Sequence, residues 1–232
     1  MNRENFLIGI IGLLLGVIIG FTFANSVNRN AAVPTAATTA TNPDLPEGHP
    51  QVAGGDPSQG GMVPEVQAAI DQAKREPDNF DAQIKAAEFY YQIRKFDGAI
   101  EFLRRANQIK PDAYEIIVDL GNANFDAEKY DDAEKWYEAA LAKKADDVNV
   151  RTDLGLTFIF RNPPDYDRAV KEFTRSLEID PGHVQTLQNL TVAYTKKGDA
   201  QKALETLDRL EKTDPSNQAI ARLREDIGKI GK

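Results

Sequence analysis

Apolar and polar positions divide the chain into three stretches: an unbroken apolar run, a segment nearly devoid of large apolar residues, and a long region of helical periodicity. The apolar run covers residues 6–24 (FLIGIIGLLLGVIIGFTFA), nineteen residues without a charge, an amide or a proline. As a helix it rises roughly 28 Å at 1.5 Å per residue, enough to cross a hydrocarbon core about 30 Å thick. A cleaved signal peptide carries a shorter apolar region, about 7–15 residues, before a small-x-small site. Thr22-Phe23-Ala24 matches such a site poorly, so residues 1–24 are expected to be a retained single-pass transmembrane anchor. Gly12, Gly16 and Gly20 fall four apart on one face. Small residues at that spacing let two membrane helices approach closely, which offers a seam for a homodimer. Arg3 and the α-amino group precede the span, and only Arg29 follows it before Lys74. The positive-inside rule then puts the N-terminus in the cytoplasm and the body of the protein across the membrane, periplasmic for a bacterial inner membrane.

Residues 25–62 contain five prolines (34, 43, 46, 50 and 57), five glycines and a run of Ala and Thr. Such a composition buries too little apolar surface to offset its chain entropy, and it predicts a disordered linker. As a flexible coil it spans roughly 35 Å. His49 stands alone there without a second metal ligand.

From residue 63 onward the pattern repeats. Prolines at 77, 111, 181 and 215 are separated by 34, 70 and 34 residues, with Ala145 at the missing middle position. The step of 70 is two periods plus two residues, and the surplus falls in Asn162-Pro163-Pro164-Asp165. A period of this length indicates stacked supersecondary units. Four units follow: 80–113, 114–147, 148–183 and 184–217. Their seventh positions are Ala86, Leu120, Leu154 and Leu190, and their eighth are Ala87, Gly121, Gly155 and Thr191. In the second half of each unit Ala99, Ala133, Ala169 and Ala203 recur, followed by Leu103, Tyr137, Phe173 and Leu207. Spacings of three and four place these on one face of each of two helices, where the small residues let the pair close and the aromatics fill the gap. Residues 63–79, with Val66, Ala69, Ile70 and Ala73 in register, predict an N-terminal half-repeat. Residues 218–230, with Ile220, Leu223, Ile227 and Ile230 opposite Arg222, Arg224, Glu225 and Asp226, predict a capping helix. The region from 63 to 232 should therefore be all-α, with ten helices and no strands.

Gly121-Asn122-Ala123, Tyr130-Asp131-Asp132-Ala133 and Tyr137-Glu138-Ala139-Ala140-Leu141 resemble the tetratricopeptide repeat (TPR) consensus. So does Tyr194-Thr195-Lys196-Lys197-Gly198-Asp199, followed by Ala203 and Leu207. The consensus Trp at the fourth position is replaced by Gln83, Ile117, Arg151 and Leu187. The resemblance implies a superhelical solenoid of antiparallel helix pairs whose concave groove is lined by the first helix of each pair. Its usual contact positions give Ile84, Val118, Thr152 and Gln188 (fifth), Glu88, Asn122, Leu156 and Val192 (ninth), and Tyr91, Phe125 and Ile159 (twelfth), joined by Phe160. Tyr91, Phe125, Leu156, Ile159 and Phe160 are expected to form an exposed apolar strip, flanked by Asp81, Glu115, Asp119, Asp126 and Asp153. Such a strip suits a protein or peptide partner with apolar anchors and basic flanks. The chaperone-binding members of the family clamp a C-terminal carboxylate with Lys and Asn at the fifth and ninth positions of the first repeat; Ile84 and Glu88 stand there, so that clamp is absent.

Composition removes several function classes. The chain of 232 residues carries 28 Lys and Arg against 36 Asp and Glu, and from residue 63 onward 26 against 32, net −6. An acidic array is a poor partner for nucleic acid, whose phosphates require a concentrated basic surface. Without cysteine there is no disulfide, thiolate metal site or cysteine nucleophile. No phosphate-binding loop, paired-histidine helix or nucleophile elbow occurs, so no enzyme activity, cofactor or metal is expected. His183, in the Pro181-Gly182-His183 turn, is expected to be solvated. Three readings follow: a membrane-tethered scaffold or adaptor, an accessory TPR subunit of a cytochrome c-type biogenesis (heme lyase) complex, and a secreted soluble TPR protein.

Overall fold

Ten α-helices follow one another without a strand among the residues, 64–231, that the computed structural model describes. They are α1 (Pro64–Arg75), α2 (Phe80–Gln92), α3 (Phe96–Ile109), α4 (Tyr114–Asp126), α5 (Tyr130–Lys143), α6 (Val148–Phe160), α7 (Tyr166–Ile179), α8 (Val184–Lys197), α9 (Ala200–Thr213) and α10 (Ile220–Ile227). Each packs chiefly on its neighbours in the chain, as stacked helix pairs must when every unit buries its apolar face against the next. The membrane anchor, the linker and the Gly12–Gly16–Gly20 seam lie outside the described residues. Among the described residues no helix is long and apolar enough to cross a membrane.

The two-residue surplus in the third unit is absorbed without shifting the helices. In the other three units the amide at position sixteen bonds to the carbonyl at position eleven: Lys95 to Tyr90 (2.9 Å), Lys129 to Asn124 (2.8 Å) and Asp199 to Tyr194 (3.0 Å). In the third, the longer turn brings the Asp165 amide to the Phe158 carbonyl, also at position eleven, at 2.7 Å. In the first, second and fourth units this closure of the first helix uses a left-handed residue. Gly198 supplies it with φ +82°, whereas Arg94 (φ 57°) and Glu128 (φ 60°) adopt it despite their side chains. Side-chain caps start the helices where the sequence offers them: Asn79 for α2, Asp147 for α6, Asp165 for α7 and Asp199 for α9. Each accepts an amide proton from the first turn.

Within pairs, size complementarity sets the spacing. A Cβ added to Gly121 would lie 2.4 Å from the Tyr137 ring, and one added to Gly155 would lie 2.4 Å from the Phe173 ring. At the same two repeat positions the outer units carry Ala87 with Leu103 and Thr191 with Leu207, so glycine stands where the second-helix residue is aromatic and a larger residue where it is leucine. Ala99, Ala133, Ala169 and Ala203 are fully buried in all four second helices. The fourth position, where Trp is absent, is core in three different ways. Ile117 and Leu187 are buried hydrophobes, and Gln83 donates to the Ala73 (2.7 Å) and Glu76 (3.0 Å) carbonyls. Arg151 donates to the Ala145 carbonyl (2.7 Å) and pairs with Glu172 at 2.9 Å. Val66, Ala69, Ile70 and Ala73 of α1 and Ile220, Leu223 and Ile227 of α10 are buried, as end-caps require.

Candidate functional site on the first-helix face

The first helices α2, α4 and α6 bring a compact polar site together in the middle of the array. Tyr91 in α2 donates its hydroxyl to Asp126 at the end of α4. Tyr137 in α5, its ring buried, sends its hydroxyl through to Asn122 Oδ1 at 2.8 Å. The carboxylates of Asp119, Asp126 and Asp153 surround both phenols, and together with burial, the largest cause, they push both phenols upward. Asp119 and Asp153 both occupy the sixth position of their units, one repeat apart. Packing strips water from each, and neighbouring acids add to the effect: Glu88 and Glu115 around Asp119, Asp147 and Asp126 around Asp153. Each is raised from 3.8 to about 7. Asp126 is raised as well, because desolvation outweighs the Tyr91 hydrogen bond and the Arg94 charge. Glu88 is raised by burial against the opposing pull of Lys85.

Aromatic rings border this cluster. Phe125 meets Phe160 edge-on at 5.7 Å and Tyr130 at 5.4 Å, while Tyr130 and Phe160 stack at 6.2 Å. Tyr91 meets Phe96 edge-on at 5.4 Å.

The expected groove residues separate into two groups. Ile84, Glu88, Tyr91, Val118, Asn122, Ile159, Phe160, Gln188 and Val192 keep partial exposure. Thr152 (0% exposed), Leu156 (3%) and Phe125 (8%) do not, and the apolar strip is interrupted where they were expected to continue it. Phe125 is the floor of the aromatic cluster. Thr152 belongs to the seam between units: its hydroxyl meets Thr186 Oγ1 at 2.6 Å and donates to the Val148 carbonyl at 2.7 Å. His183 is part of that seam rather than solvated, with Nδ1 2.6 Å from Thr186 Oγ1 and Nε2 3.1 Å from Asn149 Oδ1. A polar chain thus runs from Thr152 through Thr186 and His183 to Asn149. The acids also differ from expectation. Asp81 and Glu115 are exposed, but Asp119, Asp126 and Asp153 lie inside the site rather than beside it. Tyr137 was assigned only to the core; its hydroxyl reach to Asn122 has no signal in the periodicity.

Among the described residues no group of three or more metal-ligating side chains is placed to hold an ion. A tetratricopeptide repeat profile matches residues 94–152 and 165–227, and a second of the same description matches 63–114. The chain belongs to the tetratricopeptide repeat family. The break after residue 152 spans the enlarged turn at 162–165, where this TPR chain departs from the regular period. Similar solved structures include MamA, 23% identical over 65% of this chain and 86% of that one, TM-score 0.59. YrrB, described as a TPR protein with an unusual peptide-binding site, is 21% identical over 69% of this chain and 84% of that one, TM-score 0.60. MamA from Desulfovibrio magneticus RS-1 is 15% identical over 66% and 85%, TM-score 0.59. At these identities the likeness establishes the TPR fold alone. No curated protein matches the chain.

Proposed function

We propose that this TPR protein is a non-enzymatic scaffold that binds a protein or peptide partner on its first-helix face and is held at a membrane by residues 6–24. The observation that carries this reading is the combination on one face of partly exposed apolar groups with carboxylates that have no basic neighbour. Ile84, Ile159, Phe160 and Val192 supply the apolar part, and Asp119 and Asp153 supply the charge. A partner with apolar anchors and basic flanks complements both. The peptide-binding site named for YrrB supports a peptide as one form of that partner. Attachment to a membrane would raise the effective concentration of the face near membrane partners, so modest single-site affinity would suffice.

The experiment is photocrosslinking of the full chain in membranes, with the photoreactive residue placed in turn at Ile84, Ile159 and Val192 on the first helices and at Arg104 and Lys171 on the second helices. A partner captured from the first three positions and not from the last two is the expected result. Capture confined to Arg104 and Lys171 would move the binding face to the second helices. Alkaline carbonate extraction of the same membranes tests the anchor: release of the intact chain into the supernatant would refute it.

A further inference from the structure

The boundary between the third and fourth units is chemically unlike the two before it. Three fully buried hydroxyls meet there: Thr152 Oγ1 lies 2.6 Å from Thr186 Oγ1 and 3.4 Å from Ser176 Oγ. Ser176 in turn reaches the Val148 carbonyl at 3.5 Å, so both of its contacts stand at the long limit of a hydrogen bond. The same repeat positions hold Ile84, Ala106 and Ile116 at the first boundary and Val118, Ala140 and Val150 at the second. Opening either of those would bring buried Ile116 or Val150 into water, at the usual cost of exposing apolar surface. Opening the third lets water take over the hydroxyl hydrogen bonds, whose net worth in the folded chain is small for that reason.

The second-helix side of the same boundary is underfilled. A cleft of about 370 Å³ lies between α7, α8 and α9, with Leu177, Leu190, Tyr194 and Thr206 among its lining residues. At the repeat position of Thr206 the second unit has Trp136, packed against the core cluster that holds Phe102, Leu103 and Ala106 of the first unit. The third unit has Glu172 there, held by Arg151 at 2.9 Å. Side chains that line a gap forfeit the dispersion contacts a filled boundary supplies. Beyond the boundary the last helices keep a core of their own, in which Leu190, Ala193, Ala203, Leu207, Leu210 and Leu223 are buried. The chain crosses between the two parts in the exposed Pro181-Gly182 turn.

We propose that this boundary is a joint, at which the fourth unit and its capping helix open away from the first three units as one body, with the Thr152–Ser176–Thr186 seam as the latch. The joint is independent of which face binds a partner.

Hydrogen exchange of the full chain in detergent micelles, followed by mass spectrometry, tests it. Amides of α8 and α9 should share one protection factor, at least tenfold below that of α4 to α7. Protection that declines gradually from α8 to α10 is end fraying and would overturn the joint, as would α8 and α9 protected as well as α4 to α7. Thr152→Val, Ser176→Ala and Thr186→Val together copy the second boundary and should raise protection of α8 and α9 at least tenfold; unchanged protection would refute the latch. The reciprocal variant, Val118→Thr with Ala140→Ser and Val150→Thr, should move the step to the second boundary, so that α6 to α9 exchange together. A profile still stepped only before α8 would show that the hydroxyls do not set where the array opens.

Discussion

Replacing one of the two central carboxylates by its neutral isostere should make this protein more stable, and by an amount that grows with pH. Asp153 is raised from 3.8 to about 7, chiefly by loss of water, with Asp147 and Asp126 adding repulsion. Between those values the folded chain keeps a proton that the unfolded chain has released. The unfolded state therefore binds fewer protons, and stability falls as pH rises through the window. The penalty relative to the protonated form is about 1 kcal/mol at pH 4.5 and about 4 kcal/mol at pH 8, and it is absent well below 3.8. Asp153→Asn removes the titrating group and keeps its shape. Urea unfolding of the full chain, followed by circular dichroism at 222 nm at several pH values, should show the variant gaining about 3 kcal/mol on wild type between pH 4.5 and pH 8. Every other titration is common to both proteins and cancels in that difference. Asp112→Asn is the control, because Asp112 is exposed and lowered by Lys143 rather than raised, so it should show no such gain. A wild-type-to-variant difference that stays flat with pH, or an Asn variant less stable at pH 8, would refute the reasoning.

The packing supports four further expectations. Gly155→Ala drives a methyl into the Phe173 ring and should cost about 1–3 kcal/mol; adding Phe173→Leu, which copies the Ala87 and Leu103 found at these repeat positions of the first unit, should recover most of it in urea unfolding. Glu128→Gly relieves a left-handed backbone and should raise stability by about 1 kcal/mol, seen as a higher urea midpoint. Arg151→Met strips Glu172 of its shorter partner in a site where both side chains are nearly enclosed and should cost about 3 kcal/mol, whereas Arg151→Met with Glu172→Met should cost much less. His183 is depressed below 6.5 mainly by burial, against the pull of Asp180, so its contribution is fully present above pH 6.5 and is lost as pH falls through its own lower midpoint. Proton NMR of the imidazole should titrate below 6.5, and a midpoint at or above that value would contradict its place in the Thr186–Asn149 seam.

Most of the fold could be read along the chain because a repeat writes each contact four times. Ala99, Ala133, Ala169 and Ala203 mark the same close approach, and agreement at one period is hard to produce by chance. The end-caps were legible for a related reason: Val66, Ala69, Ile70 and Ala73, and Ile220, Leu223 and Ile227, show a single apolar stripe because only one side of each has a neighbour. The two-residue surplus was also legible as a turn, since Asp165 returns to the same carbonyl position as its counterparts.

The site was harder, and the reason lies in what periodicity measures. It says which residues share a helix face, and a first helix has two apolar faces at nearly the same angle, one toward the partner and one toward the next unit. Thr152 and Leu156 at the fifth and ninth positions are buried, while Val118 and Asn122 at those positions of the preceding unit stayed partly open. For Thr152 the difference is the next unit's side chain: Thr186 gives it a polar partner across the boundary, a relation between residues 34 apart that no single helix displays. The same ambiguity hid the central acids. A carboxylate in a helical pattern is ordinarily assigned to a solvated flank, because burial of a charge without a partner is costly. Asp119 and Asp153 break that assumption at one repeat position, in the two units that carry Gly121 and Gly155 against aromatic rings of the second helix. Around Asp119 and Asp153 the charges come from three first helices, Glu88 from α2, Glu115 and Asp126 from α4 and Asp147 before α6, so the site is a relation between units that the pattern of any one helix leaves out.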